Sequence, residues 1–300
     1  MRHEPLSGRT IVVGIDGTER GDDALALGRL VAPPATRIVL AAVSHGDSAE
    51  ADRWLAQAAD DHPDPRLETQ AVAATSPARG LRGLAQETRA QLIVVGSTHR
   101  GWLGRILPGS VGERLLHDSS CAVGIAPRAF ALSPHARLRT LAVAYDTSPE
   151  SEAAVRFAAD LAKATDSPLR ILTVVGTHLA GHRGPLAAGA YLDIARSKRD
   201  WLQLALDRLD QLLGSLPQGL RIETWLLDGD PARRLLEETE SDVGLLVLGS
   251  RGYGAAARIV MGSVLSTLIR SASCAVVVVP SDEAAAGGQP LASTELTRVG

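Results

Sequence analysis

Two short stretches of this 300-residue chain carry residue types that could hold an anion. Residues 248–266 read LGSRGYGAAARIVMGSVLS, and residues 95–111 read VGSTHRGWLGRILPGSV. In each, glycines follow an apolar run that reads as a buried strand, and a Gly-Ser pair opens a run of helical character. Glycine adopts φ > 0 and, lacking a Cβ, lets the backbone approach a ligand closely. A helix N-terminus adds unpaired N–H groups and the positive end of a dipole, which favour phosphate. Ser263 behind Gly262, and Ser110 behind Gly109, could cap those helices or offer a hydroxyl to a phosphate oxygen. The loop therefore reads as a phosphate cradle. A glycine-rich turn alone is equally well explained as turn chemistry; its duplication, its place after a strand and a paired Asp separate the two. No G-x-x-x-x-G-K-[ST] occurs, and the first strand does not run into G-x-G-x-x-G, so neither a P-loop nor a dinucleotide fingerprint is present.

The elements that must position these residues occur twice. A shift of 153 residues carries Cys121 to Cys274, and the same shift carries Gly96 to Gly249, Gly109 to Gly262 and Ser110 to Ser263. Near the front of each copy, IVVGIDGT at 11–18 matches LAVAYDTS at 141–148, which sets Asp16 opposite Asp146 at a shift of 130. The second copy thus carries 23 extra residues, expected in the long helical pattern DIARSKRDWLQLALDRLDQLLGSLP. A repeat of this length means two equivalent domains rather than a solenoid. The expected units are 1–134 and 135–282, with the boundary in RAFALSPHARLR near Pro134, and a tail at 283–300 expected to be disordered.

Within each copy, apolar runs alternate with helical patterns. IVVGI, RIVLAAV, LETQAVA, QLIVVG and CAVGIA are the strand candidates of the first copy. TLAVAY, LRILTVV, RIETWLL, GLLVLG and CAVVVV are those of the second. Continuous apolar runs suit strands covered on both faces, and strands alternating with helices give βαβ units and a parallel sheet. Ser148-Pro149 predicts a cap and a first-turn proline, followed by Ala154, Ala158 and Leu161 at helical spacing. Trp201, Leu202, Leu204, Leu206 and Leu209 predict one packing face of a helix.

Composition narrows the function classes. A formal charge of −3 gives no basic field for nucleic acid, and 3% aromatic residues leave few platforms for stacking bases. The longest apolar runs fall far short of the roughly 20 residues a spanning helix needs, and MRHEPLSGRT has no apolar run of a secretory signal. A cytoplasmic protein without membrane or nucleic-acid partners is expected. Cys121 and Cys274 make no disulfide framework and are read as small buried hydrophobes. His178 and His182 lie four apart in a glycine-rich stretch without the zincin Glu, so no metal site is expected. The motifs contain no nucleophile–base pair or carboxylate dyad.

The chain resembles the universal stress protein family in its tandem form. Its nucleotide-binding members carry G-x2-G-x9-G-[ST], and Gly249, Gly252, Gly262 and Ser263 match that spacing in full. The early Asp, the GDPA turn at 229–232 and the closing CAVVVVP extend the resemblance over nearly the whole chain outside the tail. It implies an α/β, Rossmann-like fold: two tandem doubly wound domains, each a five-stranded parallel sheet of order 3-2-1-4-5, paired about a pseudo-twofold axis through their final strands. It also implies an adenine nucleotide, ATP with or without Mg2+, across the first and fourth strands of a domain. Carried over by position, Asp146 would bond the adenine or ribose side and Val174 would meet the adenine edge through its backbone. Gly249, Arg251, Gly252, Gly262, Ser263 and Val264 would surround ribose and phosphates. In the first copy Asp16, Val43, Gly96, Gly109, Ser110 and Val111 match, but His99 stands where the second motif glycine belongs and Thr98 where the second copy has Arg251. The implied role is a nucleotide-dependent stress or regulatory protein, with domain pairing inside the chain and a homodimer left open. A slow ATPase or nucleotidyl transferase, and a nucleotide-free interaction protein, remain the alternatives.

Overall fold

Runs such as TIVVGI and AVVVV bury well only where both faces of a strand are covered, and the sheet is built to cover them. The computed structural model describes residues 9–97, 110–132, 138–176, 188–250 and 263–280, with the side chains of 188–198 excepted. The first half runs β1 (Thr10–Ile15), α1 (Glu19–Val31), β2 (Arg37–Ser44), α2 (Ala49–Asp61), β3 (Leu67–Ala73), α3 (Pro77–Glu87), β4 (Leu92–Gly96), α4 (Ser110–Asp118) and β5 (Ala122–Ala126). The second repeats it as β6 (Thr140–Ala144), α5 (Pro149–Thr165), β7 (Leu169–Val175), α6 (Ala188–Ser215), β8 (Ile222–Asp228), α7 (Pro231–Thr239), β9 (Val243–Gly249), α8 (Ser263–Ser271) and β10 (Ala275–Val279).

Among the described residues ten strands form one sheet, ordered β3-β2-β1-β4-β5-β10-β9-β6-β7-β8. Each half is therefore a 3-2-1-4-5 sheet with parallel neighbours, as the resemblance implied. The halves meet at β5 and β10, which pair antiparallel with Val276 opposite Ile125 and Val278 opposite Val123. This seam covers two apolar edge strands that would otherwise expose unpaired peptide groups. Helices α1, α2 and α5 pack on one face around Leu27, Leu40, Val143 and Phe157. Helices α3, α4, α7 and α8 cover the other around Leu81, Ile93, Leu246 and Leu268. The chain changes face between β3 and β4, and again between β8 and β9. Strand order consequently reverses between β1 and β4, and between β6 and β9, where α/β sheets open a crevice at their carboxyl edge.

Four of the described βα turns end in a side-chain cap. Thr18, Ser76, Ser148 and Asp230 accept an N–H from the first turn of α1, α3, α5 and α7, and prolines 77, 149 and 231 follow three of them. Such caps contribute about 1 kcal/mol apiece. The extra residues of the second copy lengthen α6 to 28 residues against 13 for α2. The packing face of α6 differs from the sequence expectation. Ala205, Leu209 and Leu212 are buried, whereas Leu204 and Leu206 are 47% and 46% exposed. A spacing of four and then three keeps residues on one helical stripe, and positions 204 and 206 fall to either side of it. At the junction of the halves, buried Asp23 on α1 accepts the N–H groups of Ala129 (2.9 Å) and Ala131 (2.8 Å), which ties the segment after β5 to the first domain. Pro134, the His178/His182 stretch and the tail lie outside the described residues.

Burial raises both thiols, that of Cys274 to about 12, which keeps them protonated and inert. Among the described residues no helix is long and apolar enough to cross a membrane.

One ion cluster makes stability depend on acid pH. Asp64 accepts from Arg66 Nη2 at 2.7 Å and lies 3.3 Å from Arg29 Nε, while Arg66 Nη1 donates to the Ala32 carbonyl at 2.8 Å. The Arg66 fork lowers the Asp64 carboxyl from its usual 3.8 to about 2. A depressed folded pKa stabilises above the unfolded value and is lost as pH falls through the folded one, a swing of about 2 kcal/mol. Asp64→Asn should therefore cost about 2 kcal/mol at pH 7 in urea unfolding. The gap to wild type should close between pH 4 and pH 2.

Candidate functional site

The loop after β6 is held from several sides. The Asp146 carboxylate accepts the Ser148 hydroxyl at 2.5 Å and the Ser148 N–H at 3.2 Å. Ser148 in turn caps α5 by accepting the Ser151 N–H at 3.2 Å, and the Asp146 N–H donates to Ser151 Oγ at 3.3 Å. Asp146 is thus not itself the cap; it orients the residue that is. Between them Thr147 sits at φ 69°, where a β-branched residue is rare and strained. Arg208, from the lengthened α6, donates to the Thr147 carbonyl at 3.0 Å. Just before the loop, burial raises the Tyr145 phenol to about 12, with the nearby Glu152 adding to the effect.

The end of β9 lies directly against this loop. A Cβ on Gly249 would come within 2.5 Å of the Glu150 carbonyl carbon and oxygen and 2.8 Å of the Ser151 nitrogen. A Cβ on Gly96 would meet the Arg20 carbonyl oxygen at 2.2 Å. The space these two glycines leave is filled by the first turn of the helix that follows the first strand of each half. The sequence suggested ligand approach or φ > 0 at both; helix–strand contact is the constraint the structure imposes. Immediately afterwards the Ser250 N–H donates to the Val279 carbonyl (2.8 Å) and the Ser97 N–H to that of Ala126 (2.9 Å). Both serines are buried, so each glycine loop departs from a fixed point.

Its far end is equally fixed. Ser263 is the first residue of α8 and is exposed, while Val264 packs against the core beneath. Ser110 and Val111 repeat this at the start of α4. Val174 stands two positions past Leu172, whose pairing with Ala144 ends the β6–β7 register, so Val174 has no strand partner on the β6 side. Val43 likewise stands beyond the last β1–β2 pair, Ile15 with Ala42. The two strands therefore overhang Asp146 and Asp16. Asp146, Val174, Gly249, Ser263 and Val264 thus share one carboxyl edge. Arg251, Gly252, Gly262, Gly109, Thr98 and His99 lie outside the described residues.

The two crevices differ in charge and cover. Asp16 accepts the Thr18 hydroxyl at 2.6 Å and is paired with Arg20 Nη2 at 2.7 Å. The second copy has Glu150 in place of Arg20. Gly17 occupies the Thr147 position at φ 66°, and a Cβ there would lie 2.3 Å from Trp54 Nε1 on α2. Trp54 covers one loop where Arg208 braces the other. Sequence reasoning missed Arg20, Trp54, Thr147, Arg208, Ser97 and Ser250. The swap of Arg20 for Glu150 was readable by aligning the two Asp residues; Trp54 and Arg208 reach the site from helices with no motif of their own.

The sequence pattern of the Universal stress protein family matches residues 8–127 and again residues 137–280, one match for each half-sheet. The chain belongs to the universal stress protein family. Similar universal stress proteins include one of Mycobacterium tuberculosis, 27% identical over 206 residues that span 68% of this chain and 69% of the relative. Another, of Mycolicibacterium smegmatis, is 33% identical over 145 residues, 48% of this chain and 49% of its own. The fold is also that of a universal stress protein structure from Archaeoglobus fulgidus, with TM-score 0.61 and 19% identity over 91% of this chain and 99% of the other. A Pseudomonas aeruginosa structure described as a putative universal stress protein gives TM-score 0.64 at 15% identity, covering 93% and 95%.

Proposed function

We propose that this universal stress protein binds an adenine nucleotide, ATP with or without Mg2+, in the crevice between β6 and β9, and that occupancy regulates its contacts with partners. The observation that carries this is the seating of β9 on the Asp146 loop at Gly249, at the point where strand order reverses. The full G-x2-G-x9-G-[ST] spacing bridges that point and the exposed Ser263 at the start of α8. The residues present suit such a ligand. The overhanging backbone at Val174 offers peptide groups to a base edge, and Asp146 offers a half-buried carboxylate to hydroxyl or amino groups. Ser263 and the first N–H groups of α8 offer donors to phosphate. A nucleotide held between Asp146 and the start of α8 would change the surface at this edge, and partners would read that surface.

The test is stoichiometry and turnover together. Filtered protein, denatured and assayed for released nucleotide, should yield an adenine nucleotide, and added ATP should be retained without ADP, AMP or pyrophosphate release on the binding timescale. Steady release of products would replace binding by an enzymatic role.

The crevices should be unequal, since Gly252 has no counterpart at His99. In the full chain Gly252→His should weaken the tight ATP site about tenfold, the scale of a modest steric penalty. His99→Gly should strengthen the other. Titration calorimetry that gave the reverse ranking would remove the glycine from the account of affinity.

A further inference from the structure

Another part of the first half gathers cationic side chains. A cleft of about 230 Å³ opens between α3 and α4 of the first half, lined by Thr75, Ser76, Arg79, Arg82, Arg114 and Asp118 among others. Three arginines and one carboxylate line it. Asp118 is already paired with Arg82 Nη1 at 3.2 Å. Arg79 and Arg114 are exposed, and neither forms an ion pair among the described residues.

The duplicated half supplies an internal comparison. Aligning Pro77 with Pro231 sets Arg79 on Arg233, Arg82 on Leu236 and Gly83 on Glu237. In the second half Arg233 Nε is bound by Glu237 Oε1 at 2.9 Å, and Arg234 shares the same carboxylate. In the first half Gly83 removes that carboxylate, and a Cβ built on it meets nothing within 4 Å. Aligning Ser110 with Ser263 sets Arg114 on Thr267 and Asp118 on Ser271. Among the described residues, the first half thus leaves Arg79 and Arg114 without the carboxylate that Glu237 supplies in the second.

We infer that this cleft binds the phosphoryl group of a small soluble phosphomonoester. Two uncompensated guanidinium forks match a dianion, and arginine binds phosphate oxygens in pairs of parallel N–H bonds. The capped first turn of α3, at Ser76, adds a favourable dipole end to the same cleft.

Titration of the full chain with inorganic phosphate at low ionic strength tests this, with glycerol phosphate as competitor. Gly83→Glu rebuilds the carboxylate of the second half at a position where a Cβ meets nothing within 4 Å, and Arg114→Thr installs that half's residue. Each should weaken phosphate binding about tenfold, the loss of one charge-assisted contact, with the melting temperature held or raised. Ser110→Ala and Ser263→Ala remove the hydroxyls that open α4 and α8; phosphate binding by this cleft should survive both, which separates it from the two nucleotide crevices. The proposal is overturned if wild type binds no phosphate at millimolar concentration, if Gly83→Glu and Arg114→Thr bind as wild type does, or if only Ser110→Ala or Ser263→Ala loses binding.

Discussion

Gly249→Ala should lower stability by about 3 kcal/mol and the melting temperature by about 6–12 °C. The added methyl would sit 2.5 Å from the Glu150 carbonyl, and the neighbour is helix backbone rather than the end of a flexible side chain. Either α5 lifts off β9 or β9 shifts within the sheet. Lifting α5 drags the Ser148 cap, the Asp146 carboxylate and the strained Thr147 with it, so ATP affinity should fall together with stability. Gly83→Ala is the matched control. Nothing lies within 4 Å of its Cβ, and removing a glycine from the interior of α3 should stabilise by about 0.5–1 kcal/mol. A Gly249→Ala protein that melts with wild type would mean that α5 is not seated on β9.

Much of the architecture was legible because it rests on local chemistry repeated twice. The apolar runs from IVVGI to CAVVVV became ten strands, and Ser148-Pro149 became the cap and first turn of α5. The apolar character of the two final strands also pointed to the seam at β5 and β10, since neither edge can face water. What escaped depends on contacts between distant segments. Gly249 and Gly96 were read from the spacing of a motif, and only the fold shows that a helix turn also occupies the space of the missing Cβ. Arg208 sits on the lengthened α6 of one copy, so comparing the copies could not align it with a function. Leu204 and Leu206 were misplaced because a list of apolar residues is not a helical stripe.

The proposed cradle for phosphate turns on Ser263, which opens α8 and is exposed. Ser263→Ala removes one charge-assisted hydrogen bond without touching the core, since Val264 keeps the helix packed. That loss is worth about 1.5–3 kcal/mol, or roughly 10- to 150-fold in affinity. On the proposed reading adenosine would engage the Asp146 and Val174 side of the crevice, and it has no phosphate to lose. The most direct measurement is a pair of calorimetric titrations, ATP and adenosine, on wild type and Ser263→Ala. A large loss for ATP with adenosine unchanged is the predicted result, whereas equal losses for both would contradict a phosphate cradle at the start of α8.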